Sequence, residues 1–251
     1  MSSDTPPPLN ARGLLTITVT NRSGEIQSYA LFAGEPTVTP VTKPIFNDII
    51  TVFHGVPGSG GQAFFTMPSS ELYAICGTNN RDAIDDGVQV EIVDKQAIVL
   101  GHQTEDGRTV PGTTSAVVVP SAGSLVFDRG VNLTPVGDTG CFCVRTTTDF
   151  SYKEAKQGRY IIGFGVSTTP QMVKDVGPFS MFCPAPNTCY QIMPSNIFYV
   201  AIGSFSPRDA TPAGLETASC KIDFGQLQTS DVGLVHDERG KLTIMVNKPR
   251  L

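Results

Sequence analysis

Short apolar runs separated by turn residues constrain the fold of this chain more than any other feature of its sequence. The 251 residues include 25 glycines and 19 prolines, so the chain is interrupted too often for long helices. Between the interruptions the apolar residues alternate with polar ones or form brief blocks, as in LLTITVT at residues 14–20. Alternation with a period of two is typical of a strand that has one face buried. About fifteen such runs predict an all-β protein.

The expected architecture is a single-domain β-sandwich, or a jelly-roll-like pair of antiparallel sheets. We expect this domain to span residues 14–251, preceded by a flexible, proline-rich N-terminal arm at residues 1–13. Two hairpins are predicted by their turn residues, one at Asp94-Lys95 and one in the C-terminal stretch GLVHDERGKLTIMV, where Gly240 suits a left-handed turn conformation.

One short helix is predicted near residues 151–157. Ser151 followed by Glu154 forms the S-x-x-E capping box of a helix N-terminus. Gly158 then closes the segment. No other segment of the sequence shows a helical period.

The glycine-rich stretch FHGVPGSGGQAFF, at residues 53–65, is expected to turn the chain and not to bind a phosphate. A Walker loop requires Lys and Ser or Thr after its last glycine, whereas Gly61 and Gln62 follow Gly60 here. The flanking runs also resemble strands, with no helix to offer its N-terminus to an anion. The loop fails equally as a G-x-S-x-G nucleophile elbow around Ser59, because Pro57 stands where the first glycine is needed.

Charge and hydropathy exclude several classes of partner. The net charge is −5 and the 18 basic residues are scattered, which argues against nucleic acid. No apolar run reaches the roughly 18 residues of a membrane span, and the first residues lack the apolar core of a secretory signal. We therefore expect a cytoplasmic protein, in which the glycosylation sequons Asn21-Arg22-Ser23 and Asn132-Leu133-Thr134 have no role.

No metal or cofactor is expected from the sequence. Three histidines stand far apart, each beside a turn: His54, His102 and His236. The cysteine spacings Cys141-x-Cys143 and Cys183-x5-Cys189 depart from the C-x2–4-C knuckle of zinc sites. Cysteines of a cytosolic chain normally stay reduced. Only Cys183 and Cys189, on either side of the tight turn PAPNT, are considered for a disulfide, and the sequence leaves that question open.

Aromatic residues recur on successive predicted strands. Most such residues face the core, since half of each strand must point inward. A sandwich of this length can also enclose a ligand cavity that is mainly apolar with a few polar groups. Phenols and cations near these aromatics are therefore the candidates for chemistry in a chain without a nucleophile motif.

Several stretches together resemble a family of all-β fungal proteins encoded with secondary-metabolite pathways. These stretches are LTITVTNRSGEIQSYALFAGEP, ELYAICGT, DFSYKEAKQGRYIIGFG and CYQIMPSNIFYVAIGSF. The family includes the hetero-Diels–Alderases of tropolonic sesquiterpenoid biosynthesis. The resemblance covers most of the chain, but its motifs are structural and carry no catalytic residue across.

The resemblance implies a cofactor-independent pericyclase. In the family reaction a hydroxymethyl tropolone loses water to give a quinone methide, which adds across an alkene of a humulene-type sesquiterpene. Holding the two reactants in one orientation contributes about 7–11 kcal/mol in favourable cases, and hydrogen-bond donors aimed at a carbonyl add to it. The candidate catalytic residues are Tyr73, Tyr190, Tyr199, Arg159 and Lys153. The candidate substrate-binding residues are Phe164, Met193 and Phe150.

Two other functions remain open at this stage. The first is a non-catalytic β-sandwich that binds a small molecule or a carbohydrate, although lectins favour tryptophan and this chain has none. The second is a structural protein, for which exposed apolar edges would be needed, whereas prolines in SAVVVP and FCPAPNTC protect the edges. The expected partners are small hydrophobic substrates, and a homo-oligomer is left open.

Overall fold

The computed structural model describes residues 14–68, 72–79, 90–120, 123–167 and 176–245. Within these ranges the chain is all-β, as predicted, with twenty strands, two short helices and one 3-10 turn at Leu215–Ala218. The predicted N-terminal arm lies outside the described residues.

The strands and helices follow one another in this order: β1 (Leu14–Asn21), β2 (Gln27–Ala33), β3 (Thr37–Thr39), β4 (Ile45–Asn47), β5 (Ile49–Val56), β6 (Gly61–Pro68), β7 (Leu72–Asn79), β8 (Val90–Ile98), β9 (His102–Gln103), β10 (Thr109–Val110), β11 (Thr114–Val118), β12 (Val126–Phe127), β13 (Phe142–Thr146), α1 (Tyr152–Gln157), β14 (Tyr160–Ser167), β15 (Val176–Phe182), β16 (Cys189–Met193), β17 (Ile197–Ile202), β18 (Cys220–Asp223), α2 (Phe224–Leu227), β19 (Asp231–His236) and β20 (Leu242–Met245).

Four sheets of four or five strands form the body of the fold. Their strand orders are β20-β19-β1-β6, β12-β11-β13-β16-β3, β4-β15-β14-β7-β8 and β18-β17-β2-β5, and β9 and β10 form a separate two-stranded ribbon. Most pairs are antiparallel, as expected for a sandwich-like fold. Two pairs are parallel, β1 with β19 and β11 with β13. Each parallel pair joins strands that are distant along the chain, which local sequence patterns do not reveal.

A line of phenylalanines runs through the core and connects three of these sheets with α2. Phe142, Phe164, Phe179, Phe198 and Phe224 contact one another in succession, each pair edge to face, with ring centroids 5.8–6.2 Å apart. They come from β13, β14, β15, β17 and α2, and all are at most 3% exposed. Edge-to-face aromatic contacts stabilise a core beyond the apolar area that they bury. We refer to these residues as the phenylalanine line.

Replacing an inner ring of this line is expected to destabilise the whole fold. Phe164→Ala removes a ring that is 1% exposed and leaves a cavity, so the free energy of unfolding should fall by about 3–5 kcal/mol. Urea unfolding followed by circular dichroism measures the change. The matched control is Phe64→Ala, because Phe64 is 51% exposed on β6 and should change stability by less than about 1 kcal/mol. Equal losses in the two variants would contradict the central role of the line.

The glycine-rich loop turns the chain, as the sequence predicts. It joins β5 to β6, which belong to different sheets, and the next element is a strand. The amide N–H of Gly61 donates to the carbonyl of Pro57 at 3.0 Å. Gly58 packs on the neighbouring turn so closely that a Cβ there would lie 2.3 Å from the backbone nitrogen of Glu25. The glycines therefore serve close packing between two turns.

The side chain of Asn21 connects the turn after β1 to the end of β5 by hydrogen bonds. Its side chain is fully buried, and its amide nitrogen donates to the carbonyl of Val56 at 2.8 Å and to that of Glu25 at 2.9 Å. The hydroxyl of Ser23 donates to its amide oxygen at 2.8 Å. The sequon asparagine is thus a structural residue inside the turn after β1.

The hairpin predicted at Asp94-Lys95 is wrong, because β8 runs through both residues while pairing with β7. The pairing register shifts at Val93, which stays unpaired as a bulge. The Asp94 carboxylate instead accepts hydrogen bonds from the Phe127 amide at 3.0 Å and from the Arg129 guanidinium at 2.6 Å. The Asp94 side chain therefore connects β12 and the residues that follow it to β8. The C-terminal hairpin forms as predicted between β19 and β20, with its turn glycine at φ +77°.

Candidate functional site

A cleft of about 600 Å³ lies where α1 meets the sheet that contains β4 and β14. Two other described clefts hold about 540 and 360 Å³. We call the first one the cationic cleft, and its lining comprises Lys43, Pro44, Phe46, Asn79, Tyr152, Ala155, Lys156, Gln157, Arg159, Tyr160 and Cys183.

Helix α1 forms one wall of this cleft, and its start is fixed by the predicted capping box. The Glu154 amide donates to the Ser151 hydroxyl at 3.2 Å, and the Ser151 amide donates to the Glu154 carboxylate at 2.6 Å. These reciprocal bonds satisfy donors that a helix N-terminus otherwise leaves open. They also lower the pKa of Glu154. Ala155 is fully buried against the core, so the helix has one fixed orientation.

The chain reverses tightly at the end of α1, and this reversal places Arg159 in the lining of the cleft. The Gly158 amide donates to the carbonyl of Glu154 at 2.7 Å. Arg159 then adopts a left-handed backbone conformation at φ +55°, which is uncommon for a residue with a side chain. Tyr160 starts β14 directly afterwards. Its ring lies so close that a Cβ on Gly158 would be 2.6 Å from it.

This close approach predicts the effect of a single methyl group. Gly158→Ala should lower the free energy of unfolding by about 1–3 kcal/mol, because the methyl displaces the ring of Tyr160 or the end of α1. Chemical denaturation measures the loss. Gln157→Ala, at the exposed neighbouring position, is the matched control and should change stability by less than about 0.5 kcal/mol. Unchanged stability in Gly158→Ala would mean that the Tyr160 ring moves aside without cost.

The charge of the cleft is positive although the protein is acidic overall. Its described lining includes Lys43, Lys156 and Arg159 and no carboxylate. Lys43 forms an ion pair with Glu35 on the outer side. The Lys156 ammonium lies 4.8 Å from the ring centroid of Tyr152, one turn away on α1, which is a cation–π contact. The lining thus combines cationic side chains with aromatic and apolar ones, an arrangement that suits an anion with an apolar body.

The thiol and the buried phenol of the cleft are both in their neutral forms at neutral pH. Burial raises the pKa of Cys183, and the nearby Lys156 only partly opposes that rise. Burial likewise raises the pKa of Tyr160. The Tyr160 hydroxyl donates to the carbonyl of Gly123 at 2.8 Å. It is therefore committed to the fold.

Of the residues predicted for catalysis, only Arg159 lines the cationic cleft. Lys153 lies on α1 but is exposed and outside the lining. Phe150 packs behind the cleft, edge to face with Tyr160 at 5.8 Å between centroids. Phe164 belongs to the phenylalanine line in the core.

The three predicted phenol donors lie in separate places. Tyr73 packs against a small hydrophobic cluster that is separate from the main core. The Lys95 ammonium lies 5.5 Å from the centroid of the Tyr73 ring. Tyr190 is 2% exposed, and its hydroxyl accepts a hydrogen bond from the Ala185 amide at 2.7 Å. Tyr199 stacks on Phe32 with 5.1 Å between centroids.

Burial raises the pKa of both Tyr190 and Tyr199. Met193 is 39% exposed at the end of β16. The structure therefore does not bring the predicted set together, and the roles assigned to these residues stay predictions.

The sequence analysis missed most of the residues that line the cleft. Tyr152 and Lys156 are four residues apart in the predicted helix, so their shared face was a signal that could have been used. Lys43 and Phe46 offered no such signal, because β4 reaches the cleft only by pairing with the distant β15.

A second cleft of about 540 Å³ also borders β4, and its lining combines Glu35 and Glu216 with neutral polar and apolar residues. Asp48, which follows the lining residue Asn47 in the chain, is fully buried. Neither oxygen of its carboxylate has a hydrogen-bond partner among the described residues. Burial, with a smaller contribution from Asp209, raises the pKa of Asp48 well above its ordinary value.

The raised pKa of Asp48 predicts a pH-dependent cost to stability. Because the folded state holds the proton more tightly than the unfolded chain does, stability is greatest below the ordinary carboxyl pKa and falls as the pH rises toward the folded pKa. Asp48→Asn removes this dependence, so its stability relative to the parent protein should rise with pH from about 4 to 7. Urea titrations at several pH values measure the difference. A stability difference for Asp48→Asn that does not vary with pH would refute the prediction.

Comparisons of the chain with protein-family models, with curated proteins and with solved structures gave no match. The family resemblance drawn from the sequence therefore stays an expectation. Along the described ranges, no helix is long and apolar enough to cross a membrane. In those ranges too, no three His, Cys, Asp or Glu side chains gather as a metal-ion cluster. The six cysteines are free thiols, including Cys183 and Cys189.

Proposed function

We propose that the protein is a cofactor-independent pericyclase of the hetero-Diels–Alderase type and that its reaction takes place in the cationic cleft. The substrates would be a tropolone quinone methide and a humulene-type sesquiterpene. The observation that carries the proposal is the presence of cations and aromatic rings in one cleft of about 600 Å³, a volume within the range of small-molecule sites.

A tropolone fits this lining by its charge and by its shape. Its vicinal oxygens share a negative charge when it ionises, and Lys156 and Arg159 stand on the same wall to receive them. A guanidinium also binds two neighbouring oxygens with a geometry that an ammonium does not offer. The flat ring finds aromatic partners in Tyr152 and Phe46, and the hydrocarbon of the sesquiterpene finds Pro44 and Ala155.

The reaction requires of the protein mainly that it orients the two reactants and stabilises negative charge on the tropolone. When the C–O bond of the hydroxymethyl group breaks, its hydroxyl leaves as water with the proton of the tropolone hydroxyl. The cations stabilise the negative charge that develops on the tropolone oxygens as that proton departs. The cycloaddition then proceeds because both reactants are held in one orientation. A quinone methide is an electrophile that alkylates thiolates. The protonated state of Cys183, which follows from its raised pKa, protects the cleft from that side reaction.

A second function, the binding of a small molecule without turnover, is favoured by the positions of the phenols. The predicted donors Tyr73, Tyr190 and Tyr199 lie outside the cleft lining, and the hydroxyl of Tyr160 is bonded to Gly123. A cleft with few acids suits a carrier as well as an enzyme. The two functions share the binding step and differ in the reaction.

The binding step is tested first, with tropolone itself as the probe. Isothermal titration should show binding, and Lys156→Gln and Arg159→Gln should each weaken it by roughly tenfold, the loss expected for one hydrogen bond to a charged group. Lys221→Gln, an exposed site on β18, is the control and should bind as the parent does. Lys153→Gln separates the cleft from the sequence prediction. A loss there, with Lys156→Gln unchanged, would place the site outside the cleft.

The reaction is tested by incubating the protein with a quinone-methide precursor and humulene, beside a protein-free control. Faster formation of one stereoisomer, diminished in Arg159→Gln, supports the pericyclase. Tropolone binding with a yield and stereochemistry equal to the control supports the carrier. Absence of both binding and turnover rejects the cleft as the site of either function.

We also propose that the protein works in the cytoplasm and that its partners there are small hydrophobic substrates. Six free thiols are compatible with a reducing compartment. Fractionation of the native source with an antibody tests this location, and recovery of the protein from the culture medium would contradict it.

A further inference from the structure

A pair of thiols and a guanidinium meet on one face of the sheet formed by β13 and β16. In the antiparallel register Arg145 stands opposite Cys189, and Cys143 stands opposite Gln191. Residues two apart on a strand share a face, and directly paired residues share it too. Cys143, Arg145 and Cys189 therefore lie on the same face, with the two cysteines in diagonally adjacent positions.

The side chains of this group are close enough to influence one another. Burial, with a smaller contribution from Cys189, raises the pKa of Cys143. Cys189 is also the largest cause of a raised pKa at Arg145, and Cys143 contributes less. Cys143 is fully buried, whereas Cys189 and Arg145 are exposed. The Cys189 residue is thus exposed beside a cation, and Cys143 is buried next to it.

We propose that Cys189 and Cys143 form a peroxide-reactive pair that closes reversibly to a disulfide. Reactive cysteines are typically accessible, adjacent to a cation and near a resolving thiol. Cys189 supplies the accessible sulfur, Arg145 supplies the cation, and Cys143 supplies the resolving thiol. The proposal is independent of the function assigned to the cationic cleft.

The reaction consumes hydrogen peroxide and releases water in two steps. The Cys189 sulfur, as thiolate, attacks one peroxide oxygen and the O–O bond breaks. Cys189 becomes a sulfenic acid, and the departing hydroxide takes a proton to form water. The Cys143 sulfur then attacks the sulfenic sulfur, the S–O bond breaks, and the hydroxide leaves as water with the proton of the Cys143 thiol. Two thiols are oxidised by two electrons, and one peroxide is reduced to two waters.

The strand geometry makes this bond a reversible one. Diagonal neighbours across an antiparallel pair have Cα atoms about 7–8 Å apart, slightly more than the 4.4–6.8 Å that a relaxed disulfide spans. Closing the bond therefore draws Cys189 toward β13. Cys189 is the first residue of β16 and follows the loop that begins at Pro184. A shift of the backbone at this end of the strand therefore disturbs little of the sheet. A strained disulfide is easily reduced by a dithiol.

The experiment starts from the fully reduced protein, freed of reductant and treated with a small excess of hydrogen peroxide. Free thiols are counted by reaction with a chromogenic disulfide after denaturation, and the linked peptides are identified by mass spectrometry of a digest without reduction. We expect the loss of two thiols per chain, a Cys143–Cys189 linkage, and full recovery with dithiothreitol. A linkage between Cys183 and Cys189, or no loss of thiols, would overturn the proposal.

Variants assign the roles of the three residues. Cys143→Ser should leave a sulfenic acid on Cys189 that dimedone traps, and Cys189→Ser should abolish the rapid loss of thiols. Arg145→Gln should slow that loss by roughly tenfold, the size expected when one hydrogen bond to a charged group is removed. Cys220→Ser, a half-buried site on β18 in another sheet, is the matched control and should react as the parent does.

Folding of the variants is checked by circular dichroism before oxidation. If Cys143→Ser fails to fold, the native protein with dimedone present during oxidation replaces it, and capture at Cys189 in competition with disulfide formation is then expected. Capture at another cysteine, or an Arg145→Gln variant that oxidises at the parent rate, would show that this group is not the reactive site.

Discussion

The phenylalanine line is the constraint on which the rest of the structure depends. Sheets that twist and meet at angles leave a core of uneven depth, and rings meeting edge to face fill such a space with rigid bodies. Each ring of the line belongs to a different strand or to α2, so the positions of three sheets are fixed relative to one another. The cationic cleft inherits its shape from this arrangement, because β14 carries Phe164 inward and Tyr160 toward the cleft wall.

The cleft is also an example of a site made by distant parts of the chain, among which Asn79 comes from the end of β7. Helix α1 contributes the wall that carries Lys156, the strand β4 contributes the facing edge, and Cys183 follows β15. The capping box fixes where α1 starts, and the C-cap at Gly158 with the left-handed Arg159 fixes where it ends.

The sequence was a good guide to local structure and a poor guide to the site. Period-two runs, the capping box at Ser151 and the glycine turn at Gly240 each depend on near neighbours, and each is confirmed. The hairpin at Asp94 failed because its polar side chain bonds a segment more than 30 residues away. The candidate tyrosines were chosen by type, and residue type does not say which sheet face a strand presents. Contacts across sheets, such as β4 with β15, carry that information, and short apolar patterns do not encode it.

The buried Asn21 has a consequence for how the protein can be produced. Oligosaccharide transfer acts on the extended chain as it emerges into the secretory pathway, before the turn after β1 has closed. A glycan on the Asn21 amide would take the nitrogen that now donates to Val56 and Glu25, and its bulk would not fit into a site with no exposed surface. Modification and folding are therefore mutually exclusive at this residue. A secretory expression host would divide the product into a folded form that is unmodified at Asn21 and a form glycosylated there that cannot complete the turn after β1.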